Sequence, residues 1–122
     1  RPAVVGCSDA HGCDTGELFG WYYTVVMAPT PAFPDVAAAI RAQRSVAVEG
    51  PLEQAPRVHG PFRLARYVQF LCREVFPDHD ALCRQEGELM LHHLHGDPEA
   101  ARRLGERQGA VARLYARLWA TG

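Results

Sequence analysis

Cys7, Asp9, His11 and Cys13 occupy every second position in the stretch "VVGCSDAHGCD", residues 4–14. All four side chains are types that ligate divalent metals. In an extended backbone, residues i and i+2 point the same way. Asp9 and His11 therefore converge on one side of the chain, just past an apolar run. A carboxylate and an imidazole at that spacing can share one divalent ion or bridge two. Two other arrangements of the same residues compete. Asp9 at the head of Asp-Ala-His-Gly can accept backbone N–H bonds in a turn, leaving His11 solvated. All four residues together would make a Cys-x-Asp-x-His-x-Cys zinc knot. That knot needs a straight strand, which Gly6 and Gly12 oppose, and structural zinc usually takes two separated ligand pairs. Cys7 then reads as a small buried hydrophobe.

The elements that must position these residues follow from hydropathy period. Residues 3–6, "AVVG", read as a short buried strand, and the glycine-rich residues 7–20 as a loop. "WYYTVVMA", 21–28, is aromatic and β-branched, a strand suited to cover on both faces, with Trp21, Tyr22 and Tyr23 as core rather than a stacking platform. Three prolines in "APTPAFP" break the chain. Residues 34–43 read as a helix opened by Pro34 or Asp35, with Val36, Ala39 and Ile40 as its apolar stripe. "SVAVEG", 45–50, is a third strand. Residues 50–60 lack periodicity and read as a linker.

From residue 61 the period becomes 3.6. The spacing predicts a helix over 61–76 burying Leu64, Val68, Leu71 and Val75, and one over 80–94 burying Leu82, Leu89, Met90 and His93. "FPDHD" should interrupt them, with Asp78 or Asp80 as N-cap. Gly96, Asp97 and Pro98 are placed as C′, N-cap and N1 of a last helix over 98–119. Its inward residues are Leu104, Val111, Leu114, Tyr115 and Leu118. Short loops between the three helices imply a bundle. The organisation expected is therefore 1–49, 50–60 as linker, and 61–122. The fold class is α/β, or α+β by content.

Composition narrows the function classes. The 122 residues carry a formal charge of −1, and all 13 basic residues are arginine. Bulk electrostatics recruits neither nucleic acid nor an anionic membrane. Arginines interleave with glutamates along 61–122, as on a solvated helix face. No run of 18 apolar residues and no signal-peptide pattern occurs. Four cysteines without such a signal read as reduced thiols, and the compartment expected is cytoplasmic. The chain opens at Arg1 directly in a strand-like run, a start expected of a piece of a longer protein. There is no P-loop, G-x-G-x-x-G or G-x-S-x-G.

"VVGCSDAHG", the strand within "FGWYYTVVMA", and a helix ending "AAIRAQRSVAVEG" together resemble the C-terminal end of PHP-domain proteins, the polymerase and histidinol phosphatase family. The likeness covers residues 3–50; residues 61–119 look like a helical extension. It implies the last part of a distorted (β/α)7 barrel followed by a three-helix bundle, and a phosphoesterase using two or three divalent metals such as zinc, manganese or iron. The family's final Asp-x-His motif maps onto Asp9 and His11, which the resemblance makes metal ligands. Its substrates imply a small phosphorylated compound or a nucleic-acid end as partner. The family's opening His-x-His and its middle Glu and His ligands have no counterpart before Asp9, so the 122 residues alone are expected to be inactive. An uncovered sheet is expected to drive self-association, and a helical interaction module is the competing function.

The other histidines match no ligand of that family. His92 and His95 are i, i+3 on a helix, a spacing that can share a metal, while a histidine-rich helix end also interacts favourably with the dipole. His59, His79 and His93 carry no motif. Cys72 and Cys83 are expected to pack together rather than bind zinc.

Overall fold

The computed structural model describes residues 2–9, 20–50 and 54–120. These residues form three strands and five helices: β1 (Tyr22–Val26), α1 (Phe33–Arg41), β2 (Ser45–Glu49), β3 (Arg57–His59), α2 (Phe62–Glu74), α3 (Phe76–Leu94), α4 (Pro98–Arg107) and α5 (Ala110–Trp119). The content is mixed α and β, as expected. The chain divides into two compact units, residues 1–72 and 73–122.

The first unit is built on a sheet of order β1-β2-β3, antiparallel throughout. The register places Tyr22, Thr24 and Val26 opposite Glu49, Ala47 and Ser45, with Ala47 in turn opposite His59. Alternation therefore gives the sheet two unlike faces. One presents Tyr23, Val25, Val46, Val48 and Val58. It packs with Leu64, Val68 and Cys72 of α2 into an apolar core in which Val46, Val48 and Val68 are essentially solvent-free. β-branched residues on the strands and 3.6-spaced residues on α2 are what this requires.

The other face carries Thr24, Ser45 and Ala47, and residues 2–9 lie over it. The expected strand over 3–6 does not form. Residues 2–9 have no regular secondary structure, yet their exposure alternates, with Val4, Gly6 and Ser8 half-buried and Ala3, Val5, Cys7 and Asp9 exposed. β1 is thus covered on both faces, by α2 residues on one side and residues 2–9 on the other.

Residues 57–59, placed within the expected linker, pair with β2 as an edge strand. One inward apolar residue, Val58, is too short a pattern for the period to register. α1 opens one residue before Pro34 and has no side-chain N-cap; Thr30 instead accepts from the Ala32 N–H and donates to Asp35.

In the second unit α3 packs against α4 and α5, burying Leu89, Ala100 and Leu114. "FPDHD" does not interrupt the helices. α3 starts at Phe76 with Val75 at its N-cap, because Pro77 is tolerated in a first turn whose N–H groups have no helical partner. Asp78 lies inside that turn, where the helix dipole favours a carboxylate. Gly96 (φ 89°) ends α3, with Gly96 N–H donating to His93 O and Asp97 N–H to His92 O. Asp97 then caps α4 by accepting from the Glu99 N–H at 2.9 Å. The long helix expected over 98–119 is two helices. Gly109 takes φ 76°, which breaks the ladder, and Arg113 donates to the carbonyl of Gln108 across the break. α2 up to Cys72 falls in the first unit.

Candidate functional site

Asp9 is delivered by residues 2–9 rather than by a strand end. Thr24 holds both polar backbone groups of Gly6. Its Oγ1 accepts from the Gly6 N–H at 2.8 Å and donates to the Gly6 carbonyl at 2.9 Å. Ser45 Oγ donates to the Val4 carbonyl at 2.7 Å. Gly6 also lies so close that an added Cβ would stand 2.7 Å from the Tyr23 carbonyl oxygen and 3.3 Å from the Ala47 Cβ. Only glycine fits there without moving backbone. Three residues on, Asp9 turns the chain at φ 52°, a left-handed conformation that aspartate tolerates better than most residues.

The Asp9 carboxylate is exposed and bonds to none of the described residues. His11, its expected partner, lies outside the described residues, as does Cys13. Cys7 is exposed rather than buried, because the alternation that turns Gly6 inward turns its neighbours out.

A free carboxylate is a suitable oxygen donor for a divalent ion, but one donor does not hold an ion. Among the described residues no group of three or more His, Cys, Asp or Glu gathers to bind a metal. The described residues therefore hold no set of three ligands by themselves.

Of the remaining histidines, His59 and His79 have local partners. His59 and Arg57 flank Glu49 at 3.9 and 3.8 Å on the same sheet face as Thr24 and Ala47. These exposed pairs contribute little to stability. His79 Nδ1 shares a hydrogen bond of 2.8 Å with the Tyr115 hydroxyl, ring edge to ring face, and joins α3 to α5. Burial, then Asp80, then Cys83, raises the Tyr115 hydroxyl above its ordinary pKa. His92 and His95 line a cavity of about 280 Å³ with Glu88 and Leu91. A second cavity of about 170 Å³ joins Glu88 and His92 to Arg103 and Arg107, where Arg107 donates to Gln85 at 2.6 Å. Both signs of charge meet there, without a ligand set.

His93 and Met90, expected to face inward, are exposed; only Leu89 of that stripe is buried. Cys72 belongs to the core of the first unit, with its Sγ 3.6 Å from the Tyr23 hydroxyl, while Cys83 is exposed. On α4, Arg102 bridges Glu99 and Glu106, the solvated ladder that the charge pattern suggests. No helix of the described residues is long and apolar enough to cross a membrane.

Thr24 and Ser45 were invisible to motif reading. A hydroxyl in a strand carries no spacing signal, and both gain meaning only when residues 2–9 lie over them. Compared with known proteins, the chain gives no significant match to any family model, curated protein or solved structure.

Proposed function

We propose that this chain is the C-terminal part of a PHP-type metal-dependent phosphoesterase, and that it contributes Asp9 and His11 to a metal centre completed by residues outside it. The observation that carries the proposal is the exposed Asp9 carboxylate, without a partner among the described residues and presented at the end of a segment clasped to a sheet. On this reading residues 3–50 correspond to the C-terminal end of that family and the helical unit is an extension of it, although the antiparallel pairing of β1, β2 and β3 differs from the parallel strands of a (β/α)7 barrel.

Divalent metals supply phosphate-ester hydrolysis with a more acidic water and with positive charge for the phosphoryl oxygens. This chain's share is to hold such ions, zinc, manganese or iron, through an Asp9 oxygen and a neutral His11 ring nitrogen. The substrate would be a small phosphorylated compound or a nucleic-acid end, bound by parts of the barrel beyond these residues. The isolated chain is expected to be inactive.

The test is the metal content of the purified chain by elemental mass spectrometry, for the wild type and for Asp9→Ala with His11→Ala. Metal in the first and not in the second supports the assignment. Equal content in both contradicts it.

A second function, a helical interaction module, is favoured by one observation. Met90, Leu91 and Leu94 of α3 are 54%, 59% and 78% exposed, an unusual run of large apolar side chains in water. Light scattering across a concentration series distinguishes it: self-association abolished by Leu91→Ser with Leu94→Ser supports the module, and a monomer at every concentration counts against it.

A further inference from the structure

We propose that Thr24 and Ser45 are positioning residues for the Asp9 carboxylate: two hydroxyl pins that fix where residues 2–9 lie on the sheet and on which side Asp9 emerges. The functional meaning of the pins rests on Asp9 being a metal ligand; the clasp itself rests on geometry alone.

Among the described residues, no backbone–backbone hydrogen bond joins residues 2–9 to the sheet. A segment held without a ladder has no intrinsic register. The side chains supply it instead. The Thr24 hydroxyl engages the N–H and the C=O of one residue, Gly6, as a neighbouring strand would do with two backbone groups. Ser45 engages Val4, two residues earlier. Thr24 lies opposite Ala47, and Ser45 is two residues before Ala47, so both pins belong to the same sheet face. The two contacts fix position and direction, and residues 2–9 run alongside β2 in the same sense.

The identity of these residues has a cost that needs an explanation. Ser45 is 1% exposed and the only buried polar residue among those described. A valine or alanine would suit a covered strand position without burying a hydroxyl. The hydroxyls are spent on the overlying segment. Register matters here because exposure alternates along it. A slip of one residue would turn Val5, Cys7 and Asp9 toward the sheet and Gly6 and Ser8 outward. Gly6 guards against that slip, because the space above the Tyr23 carbonyl admits no Cβ. Two hydroxyls and one glycine thus select the face on which Asp9 is presented.

The experiment is NMR of the full 122-residue chain with Thr24→Val and Ser45→Ala combined, alongside Thr24→Ser. Amide exchange is followed at Gly6, Val25 and Val46, and backbone order at residues 7–9. Zinc uptake of each variant is measured beside that of Asp9→Ala. The double variant is expected to exchange its Gly6 amide about tenfold faster, to lose order at residues 7–9, and to leave Val25 and Val46 within about twofold. Its Asp9-dependent zinc is lost, and Thr24→Ser recovers both. If the double variant unfolds, Gly6→Ala replaces it: both hydroxyls remain, the segment is displaced, and the same losses are expected. Unchanged order at residues 7–9 overturns the proposal, and so does loosening with zinc uptake undiminished. Failure of the metal assignment looks different: the wild type and Asp9→Ala take up equally little zinc, while order at residues 7–9 still decides whether the pins position Asp9.

Discussion

The two faces of the sheet in residues 1–72 are held by different physics. On one, Val46, Val48 and Val68 interlock with no solvent between them. On the other, Thr24 and Ser45 hold residues 2–9 through three hydrogen bonds. Apolar burial is non-directional and scales with area, so it stabilises without specifying a position to a fraction of an ångström. Hydrogen bonds contribute little net stability but demand particular partners. The difference teaches where stability and placement reside. The valine face keeps the unit folded; the hydroxyl face decides where Asp9 is presented. The helical unit has the same two components, with Leu89, Ala100 and Leu114 buried and a polar pin, His79 to Tyr115, between α3 and α5.

The largest effect should come from the apolar face. Val46→Ala is expected to cost about 2 kcal/mol, from lost burial plus the cavity left behind. Urea denaturation checks this, and a cost near zero would break the contrast between the faces.

Next comes the polar pin of the helical unit. Tyr115→Phe is expected to cost about 1 kcal/mol at neutral pH, the net value of one hydrogen bond. The pH dependence follows from the raised Tyr115 hydroxyl. The folded state holds that proton more tightly than the unfolded chain, whose value is near 10.0. Its contribution is complete below about pH 10 and is lost as pH rises through the folded value. Thermal melts between neutral pH and pH 11 should therefore show a steeper alkaline decline in wild type than in Tyr115→Phe. Parallel declines would contradict the raised Tyr115 hydroxyl.

A smaller stability change is expected for Thr24→Val, about 0.5–1 kcal/mol, because valine keeps the shape and the strand propensity while losing the clasp. The contrast sharpens if that substitution disorders residues 7–9 more than Val46→Ala does while costing less in urea. Smallest of all is Arg102→Ala. It removes the bridge to Glu99 and Glu106 on an exposed helix face and should fall within about 0.5 kcal/mol of wild type.

What was legible in the sequence was whatever has a period or a punctuation mark. "WYYTVVMA" and "SVAVEG" showed themselves as strands through their β-branched and aromatic residues. Leu64, Val68 and Leu71 showed the buried face of α2, and Gly96-Asp97-Pro98 marked a helix boundary to the residue. The misses have local causes. β3 has one inward apolar residue. Gly109 breaks a helix through its own left-handed backbone, in a region whose apolar spacing runs on unbroken. Val5 and Cys7 look buried by type, yet they face outward because Gly6 must face inward. In the candidate site, Asp9 was legible as a residue type at a telling spacing. Its supports were not, since a serine and a threonine become pins only through chain packed over them from about 18 and 41 positions away.

The most direct measurement is a titration of the 15N-labelled chain with Mn²⁺, reading paramagnetic broadening at every amide. Broadening is predicted to begin at Ser8 and Asp9 below one equivalent, before any at Glu49, Glu88 or Asp97, and to vanish there in Asp9→Asn. Broadening that rises equally at every exposed carboxylate, or that survives Asp9→Asn unchanged, would contradict the assignment of Asp9 as a metal ligand.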